Sequence, residues 1–141
     1  MKKIVVYILI ALSVGVVITM AILLSNPLRR SEDRIRANML KLTPIGTSME
    51  DVIKVVEGNE KWKINTVRDY GYLLVNGVPS FPYFSPIEEK EYDYHLIGEK
   101  SMCVYLGEYR TIFITSVEVY YAFDEDSKLI DIAVKKDMDA M

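Results

Sequence analysis

Residues 44–58 read PIGTSMEDVIKVVEG and form the clearest local signal in the chain. Thr47 and Glu50 have the S/T-x-x-E spacing of a capping box, which begins helices. The following residues place an apolar side chain on one face at Met49, Val52, Ile53 and Val56. Gly58 supplies a C-terminal stop. A helix of about ten residues is unstable alone in water, so this face must pack against the rest of the fold.

A second short helix is predicted just upstream, over residues 31–42. Ser31 can cap it, and Ile35, Met39 and Leu42 follow at helical spacing as a narrow apolar stripe. Thr43-Pro44 ends this helix, because the residue before a proline disfavours the helical conformation.

The segments downstream alternate apolar and polar residues, as strands do. Strands are predicted near residues 61–67, 72–75, 101–106, 111–123 and 130–134, with a turn at Asn76-Gly77. Their inward faces are Met102, Val104 and Leu106; Val117, Val119, Tyr121 and Phe123; and Ile130, Ile132 and Val134. The predicted fold is therefore α+β, with an N-terminal transmembrane helix followed by two short helices packed on a three- to five-stranded antiparallel sheet.

Residues 78–99 do not follow this alternation. They contain Pro79, Pro82 and Pro86, which predict a loop without regular strand pairing. The candidate partner-binding residues are its five aromatic side chains, Phe81, Tyr83, Phe84, Tyr92 and Tyr94. Two interpretations are open: the aromatic side chains cover the sheet, or they stay exposed and bind a partner. In the second case the acidic residues Glu88, Glu89, Glu91 and Asp93 would select a basic partner.

The N-terminal segment contains 21 consecutive residues without a charge, at positions 4–24. As a helix they span about 31 Å, the thickness of a bilayer's hydrocarbon core. We therefore expect the lipid bilayer to be a partner of residues 4–24, although a cleaved signal peptide is an alternative. The expected organisation is a membrane anchor at residues 1–30 and a small α+β domain at residues 31–141.

The charges on the two sides of the apolar run do not by themselves determine the orientation of the anchor. Lys2 and Lys3 precede the apolar run, and Arg29 and Arg30 follow it, so counting basic residues does not favour translocation of the domain. A short Lys-Lys start is nevertheless typical of a secretory signal. We therefore expect an extracytoplasmic domain.

Composition excludes several classes of function. The net charge is −3 and no long basic run exists, which argues against nucleic acid as a partner. One cysteine, Cys103, allows no intramolecular disulfide, and we expect it to be a small filler residue on the sheet. With His95 the only histidine, no metal or other cofactor is expected. No phosphate loop, dinucleotide fingerprint or serine-hydrolase elbow occurs in the sequence, so we expect no catalytic site.

Two stretches carry a family resemblance: LTPIGTSMEDV at residues 42–52 and VYYAFDEDSKLI at residues 119–130. They resemble the helix opener and final hairpin of the SmpA/OmlA (BamE-like) family and of the β-lactamase-inhibitor-protein-like fold. The chain is also similar to membrane-anchored proteins of Gram-positive bacteria. The resemblance implies two helices on one face of an antiparallel sheet, an extracytoplasmic setting and, by analogy, protein binding. The chain departs from the family because it lacks a lipidated cysteine and has Ser127 in place of the turn glycine.

The function expected from these observations is a membrane-tethered extracytoplasmic protein-interaction module, of an inhibitor, immunity or envelope-assembly type. Two alternatives are an accessory subunit of a cell-envelope enzyme and a sensor of a small ligand. An exposed aromatic surface would favour the first function, whereas a deep pocket with converging polar groups around His95 would favour the others.

Overall fold

The computed structural model describes residues 2–82 and 96–139. The helices in this part are α1 (Lys2–Ser25), α2 (Glu32–Leu42) and α3 (Met49–Glu57), with a short 3₁₀ helix at Pro27–Arg29. The strands are β1 (Lys63–Arg68), β2 (Tyr72–Val75), β3 (Val78–Ser80), β4 (Leu96–Ile97), β5 (Lys100–Arg110), β6 (Ile114–Phe123) and β7 (Leu129–Asp139).

The strands form two antiparallel sheets. The large sheet has the order β1-β5-β6-β7, and the small one has the order β3-β2-β4. Consecutive strands β5, β6 and β7 pair as neighbours, and β1 completes the large sheet on the other side of β5. The predicted α+β fold, with two short helices and an antiparallel sheet, is confirmed.

Helices α2 and α3 contribute to the main hydrophobic core together with one face of the large sheet. Val52 and Val56 are fully buried there, and Met49 and Ile53 are partly buried. The sheet contributes the alternate residues Met102, Val104, Leu106, Val117, Val119, Tyr121, Phe123, Ile132 and Val134. The prediction that the apolar face of α3 packs against the rest of the fold is therefore confirmed. In α2, Ile35 and Met39 are buried as predicted, but Leu42 is exposed at the last residue of the helix.

The N-terminal cap of α3 lies one residue later than predicted. Ser48 Oγ accepts a hydrogen bond from the Asp51 backbone N–H at 3.2 Å and donates to the Asp51 carboxylate at 2.8 Å. The predicted cap, Thr47, instead pairs its backbone with Leu129, whose N–H donates to the Thr47 carbonyl at 2.8 Å. Because that pairing holds Thr47 in the loop, the helix begins at Met49.

A β-bulge changes which residues of β7 face the core. Ala122 pairs with Asp131, but Phe123 pairs with Leu129, so the register skips Ile130. Ile130 is 42% exposed and Leu129 is fully buried in its place. The prediction that Ile130 faces inward is wrong, because strict alternation does not account for the extra residue of a bulge.

The prediction that the prolines prevent pairing is wrong for Pro79. The hairpin β2–β3 turns at Asn76-Gly77, both with positive φ as the predicted turn requires, and Pro79 then pairs with Leu74. In a hairpin closed by a two-residue turn, this second pair makes no backbone hydrogen bonds across the ladder. Since β3 is also an edge strand, the missing backbone N–H of Pro79 removes no hydrogen bond from the sheet. Pro86 lies outside the described residues.

One carboxylate joins the two layers at the free edge of β7. Asp131 accepts a hydrogen bond from Arg36 Nη2 of α2 at 2.8 Å and another from the Tyr72 hydroxyl of β2 at 3.0 Å. Arg36 Nε also donates to the Ile132 carbonyl at 2.6 Å. Arg36 thereby satisfies a backbone acceptor at the edge of β7 and connects the helical layer to the small sheet.

Helix α1 differs from the other helices because its described side chains are exposed. Its segment Ile4–Ile22 is long and apolar enough to cross a membrane, a property shared by membrane anchors and signal sequences. A helix that is apolar on all sides is favourable only where its side chains are removed from water.

Candidate interaction surface on the large sheet

The face of the large sheet opposite the main core has a covered half and an open half. The covered half contains a second cluster of buried residues, Tyr72, Cys103, Tyr120, Ala122 and Ala133. Tyr72 comes from the small sheet and meets Tyr120 edge to face at 5.8 Å between ring centroids. The small sheet therefore covers one end of this face.

Phe81 is the one predicted binding residue that falls within the described part of the chain. Its ring centroid lies 5.2 Å from that of Tyr120 and 6.5 Å from that of Tyr70, and the Arg68 guanidinium lies 5.7 Å from it. Phe81 is half-buried and packs against the second cluster. This packing agrees with the interpretation in which aromatic side chains cover the sheet.

The other predicted binding residues, Tyr83, Phe84, Tyr92 and Tyr94, lie outside the described residues, as do His95 and the acidic residues at positions 88–93. The segment that contains them begins beyond β3 and ends at β4, and these two strands flank β2. Both of its attachment points are therefore on the small sheet.

The open half consists of two cross-strand rows of side chains, which we call the open face. The first row is Tyr105, Glu118 and Lys135, and the second is Glu108, Ser116 and Asp137. All six are partly or fully exposed. Asn65 of β1 extends the first row, because its Nδ2 donates to Glu118 at 3.1 Å. Sequence alternation placed Ser116 and Glu118 on the face opposite the core, but their partners in β5 and β7 depend on the register.

Hydrogen bonds organise the polar groups of the open face. Glu118 accepts from the Tyr120 hydroxyl at 3.3 Å in addition to Asn65, and Glu108 accepts from the Tyr105 hydroxyl at 3.3 Å. Lys135 Nζ lies 2.7 Å from the Asp137 carboxylate. Lys63 of β1 pairs with Tyr105 and extends the first row, so the open face carries three carboxylates and two ammonium groups, a net charge of −1. Its fixed polar groups can pair with the donors and cations of a partner.

The tyrosines of this face remain protonated at neutral pH. Partial burial and the charge of the Glu108 carboxylate raise the pKa of Tyr105. Burial, followed by the neighbouring Cys103 and Glu118 side chains, raises the pKa of Tyr120. Their hydroxyl groups therefore act as neutral hydrogen-bond donors to carboxylates. The hydrogen bond to Asp137 raises the pKa of Lys135, which keeps the ammonium group charged.

Cys103 lies in the covered half of this face and is 3% exposed. Burial first, and then the charge of Glu118, raises its pKa to about 12. A thiol in this environment stays protonated and is a poor nucleophile. This agrees with the predicted role of Cys103 as a small filler residue opposite the main core.

Metal and cofactor sites would require clustered ligands or an enclosed pocket. Within residues 2–82 and 96–139, no group of three or more His, Cys, Asp or Glu side chains could hold a metal ion. A polar cavity of about 180 Å³ lies beside Arg36 and Asp131. It is smaller than the roughly 300–1,000 Å³ of typical small-molecule sites, whereas a cavity of about 560 Å³ lined by Trp62 and Leu106 lies within that range.

The chain matches no protein-family model, no curated protein and no solved structure. The resemblance to the BamE-like and β-lactamase-inhibitor-protein-like group stays a prediction. The candidate surface therefore rests on the geometry and charge of the open face.

Proposed function

We propose that the protein is a single-pass membrane protein whose extracytoplasmic α+β domain binds another protein through the open face. The observation that carries this proposal is the negatively charged face of two cross-strand rows, in which Tyr105 and Glu118 are held by hydrogen bonds. Side chains already fixed in one geometry lose less conformational entropy on binding. Aromatic residues such as Tyr105 are enriched at protein interfaces, and the rims of interfaces are polar.

Retention of α1 as an anchor is part of this proposal. Its support is the uncharged run of residues 4–24, together with the exposure of the described side chains in Ile4–Ile22. We expect the mature protein to keep Met1 and to resist extraction from membranes by high salt. N-terminal sequencing of the membrane-purified protein tests this directly. A mature chain that begins near Ile22 or later would show that the segment is a cleaved signal.

The class of partner follows from charge. Glu108, Glu118 and Asp137 give the open face three carboxylates against two lysines, Lys63 and Lys135, and Lys135 is already paired with Asp137. The acidic residues at positions 88–93 belong to a segment attached to the adjoining small sheet. Complementary charge governs partner selection and association rate, so the proposed partner presents a basic surface.

The test is capture of partners from detergent-solubilised membranes with the full-length chain as bait. We expect Glu118→Lys to abolish capture, because it reverses the charge at the centre of the open face. The matched control is Glu57→Lys, which makes the same change on the exposed side of α3 and should leave capture intact. Circular dichroism must show that both variants are folded.

Two outcomes would contradict the proposal. Equal capture by Glu118→Lys and the wild-type chain would remove the open face as the binding surface. Capture that is insensitive to salt would argue against a basic partner, because exposed charge pairs weaken as ionic strength rises.

A further inference from the structure

The tip of the β5–β6 hairpin exposes two large apolar side chains. Ile112 is 81% exposed and Phe113 is 42% exposed, and Met138 of the neighbouring strand β7 is 68% exposed. The Thr111 backbone N–H donates to the Phe113 carbonyl at 2.9 Å, which closes the turn around Ile112. We call Ile112, Phe113 and Met138 the apolar tip. Exposed apolar clusters of this kind mark contacts with proteins or membranes.

The apolar tip lies beside the point where the chain leaves α1. Arg29 Nη2 donates to the carbonyl of Arg110, the last residue of β5, at 2.8 Å. Leu28 packs against Gly107, where an added Cβ would lie 3.2 Å from Leu28 Cδ1. Arg29 is five residues beyond Leu24, the end of the uncharged run. Five residues extend at most about 17 Å, so these contacts hold the hairpin close to the end of the apolar helix.

Basic side chains surround this end of the domain. Arg29 and Lys136 lie over the Tyr109 ring at 5.6 Å and 5.4 Å, and Lys136 Nζ also donates to the Arg30 carbonyl. What we call the basic ring consists of Arg29, Arg30, Arg110 and Lys136. Within the described part of the chain, none of these four residues makes an ion pair with a carboxylate. Glu108 and Asp139 are the carboxylates on the adjacent strand positions.

The domain thus has opposite charge at two places. On the open face, Glu108 and Glu118 make no ion pair among the described residues, whereas the basic ring lies next to the apolar tip at the end nearest α1. A cavity of about 560 Å³ separates the end of α1 from Trp62 and Leu106 at the same end of the domain. Apolar side chains next to a basic ring fit a bilayer interface, and tryptophan is enriched there.

We propose that the apolar tip is a second membrane contact, which enters the headgroup layer of the bilayer spanned by α1 while the basic ring binds anionic phospholipid headgroups. This inference rests on the proposed retention of α1 as an anchor. Basic residues near an anionic surface are attracted to it, and the attraction falls off within a Debye length. The contact would fix the orientation of the domain, with its apolar tip against the membrane.

The test uses the full-length chain reconstituted in vesicles that contain brominated phosphatidylcholine, with and without phosphatidylglycerol. Ile112→Trp places a fluorophore at the apolar tip. Ile45→Trp is the matched control, since Ile45 is 56% exposed and adjoins Gly46, which pairs with Leu129 at the opposite end of the sheet. The wild-type signal of Trp62 is subtracted from both. We expect bromine to quench Ile112→Trp several times more than Ile45→Trp, and more strongly when phosphatidylglycerol is present.

The outcomes separate this inference from the anchor on which it rests. Vesicle flotation after a high-salt wash reports anchoring, and loss of flotation would overturn both proposals. Flotation with equal quenching of the two variants would overturn the membrane contact alone. Strong quenching that is the same with and without phosphatidylglycerol would overturn the assignment of the basic ring to anionic headgroups. Substituting Arg110→Gln should reduce the phosphatidylglycerol-dependent part of the quenching while flotation is unchanged.

Discussion

Helix α3 contains three valines that differ in burial and therefore test the packing of the main core. Val52 is 0% exposed and Val56 is 1% exposed, whereas Val55 is only partly buried. Replacing any of them with Ala removes the same two carbon atoms and changes helix propensity by the same amount. Differences among the three variants therefore report burial.

The expected cost of Val52→Ala follows from that burial. Losing two buried carbon atoms costs about 1.6 kcal/mol in transfer free energy. A residual cavity of roughly 50 Å³ adds about 1 kcal/mol at ~24 cal/mol per Å³. Because Ala has a higher helix propensity than Val, the substitution also adds about 0.5 kcal/mol to the free energy of unfolding. We therefore expect Val52→Ala to lower the free energy of unfolding by about 2 kcal/mol.

Thermal unfolding of the full-length chain in detergent micelles measures this cost. Trp62, the one tryptophan in the chain, packs against the main core and reports its loss by fluorescence. For a domain of this size, about 2 kcal/mol corresponds to a fall in Tm of about 8 °C. Val56→Ala should behave like Val52→Ala, and Val55→Ala should change Tm much less. Equal effects at all three positions would refute the assignment of the buried face of α3.

Three further predictions concern other positions in the fold. The Tyr121 hydroxyl is buried near Thr43 without meeting hydrogen-bond geometry, so Tyr121→Phe should raise the unfolding free energy by up to about 1 kcal/mol; a clear loss of stability in urea unfolding would show that Thr43 is a hydrogen-bond partner. A Cβ at Gly71 would overlap the Ile97 carbonyl, so Gly71→Ala should cost about 3 kcal/mol and make β4 sensitive to protease. An unchanged Tm would contradict the β2–β4 pairing. The Cys103 thiol ionises near pH 9.0 in the unfolded chain but only near pH 12 when folded, so stability should fall as pH rises above 9. Urea unfolding between pH 9.0 and 10.0 should show this fall, and a Cys103→Ala variant with the same pH dependence would contradict it.

The helical layer could be predicted from sequence because its signals are local. The burial of Val52 and Val56 follows from helical spacing alone. The choice of Ser48 rather than Thr47 as the cap could not be predicted in the same way. It depends on the backbone pairing of Thr47 with Leu129, a contact between distant parts of the chain.

The errors in the sheets have the same physical origin. Alternation predicts which residues share a face, but it does not reveal the bulge that exposes Ile130. Pro79 disfavours a strand in general, yet it fits an edge strand at a pair that makes no backbone hydrogen bonds. Both features depend on the neighbouring strand and its register.

The candidate interaction surface could be predicted only in part, because strand register is not visible in local sequence patterns. Phe81 was identified from composition, and the structure packs it against Tyr120. The sequence also places Glu118 on the face opposite the core. Its position between Tyr105 and Lys135 depends on the pairing of three strands, and local patterns do not encode that register.

The short connection between α1 and α2 has a consequence for how the proposed anchored protein would meet its partner. Only residues 25–31 lie between the uncharged run and α2, and Leu28 packs against Gly107 of the sheet. A domain without a long flexible linker cannot sweep through the surrounding volume. Its search is therefore confined to lateral diffusion in a thin layer above the lipid. A partner embedded in the same membrane is present at a high effective concentration. Even a partner that binds the open face weakly would therefore be bound much of the time.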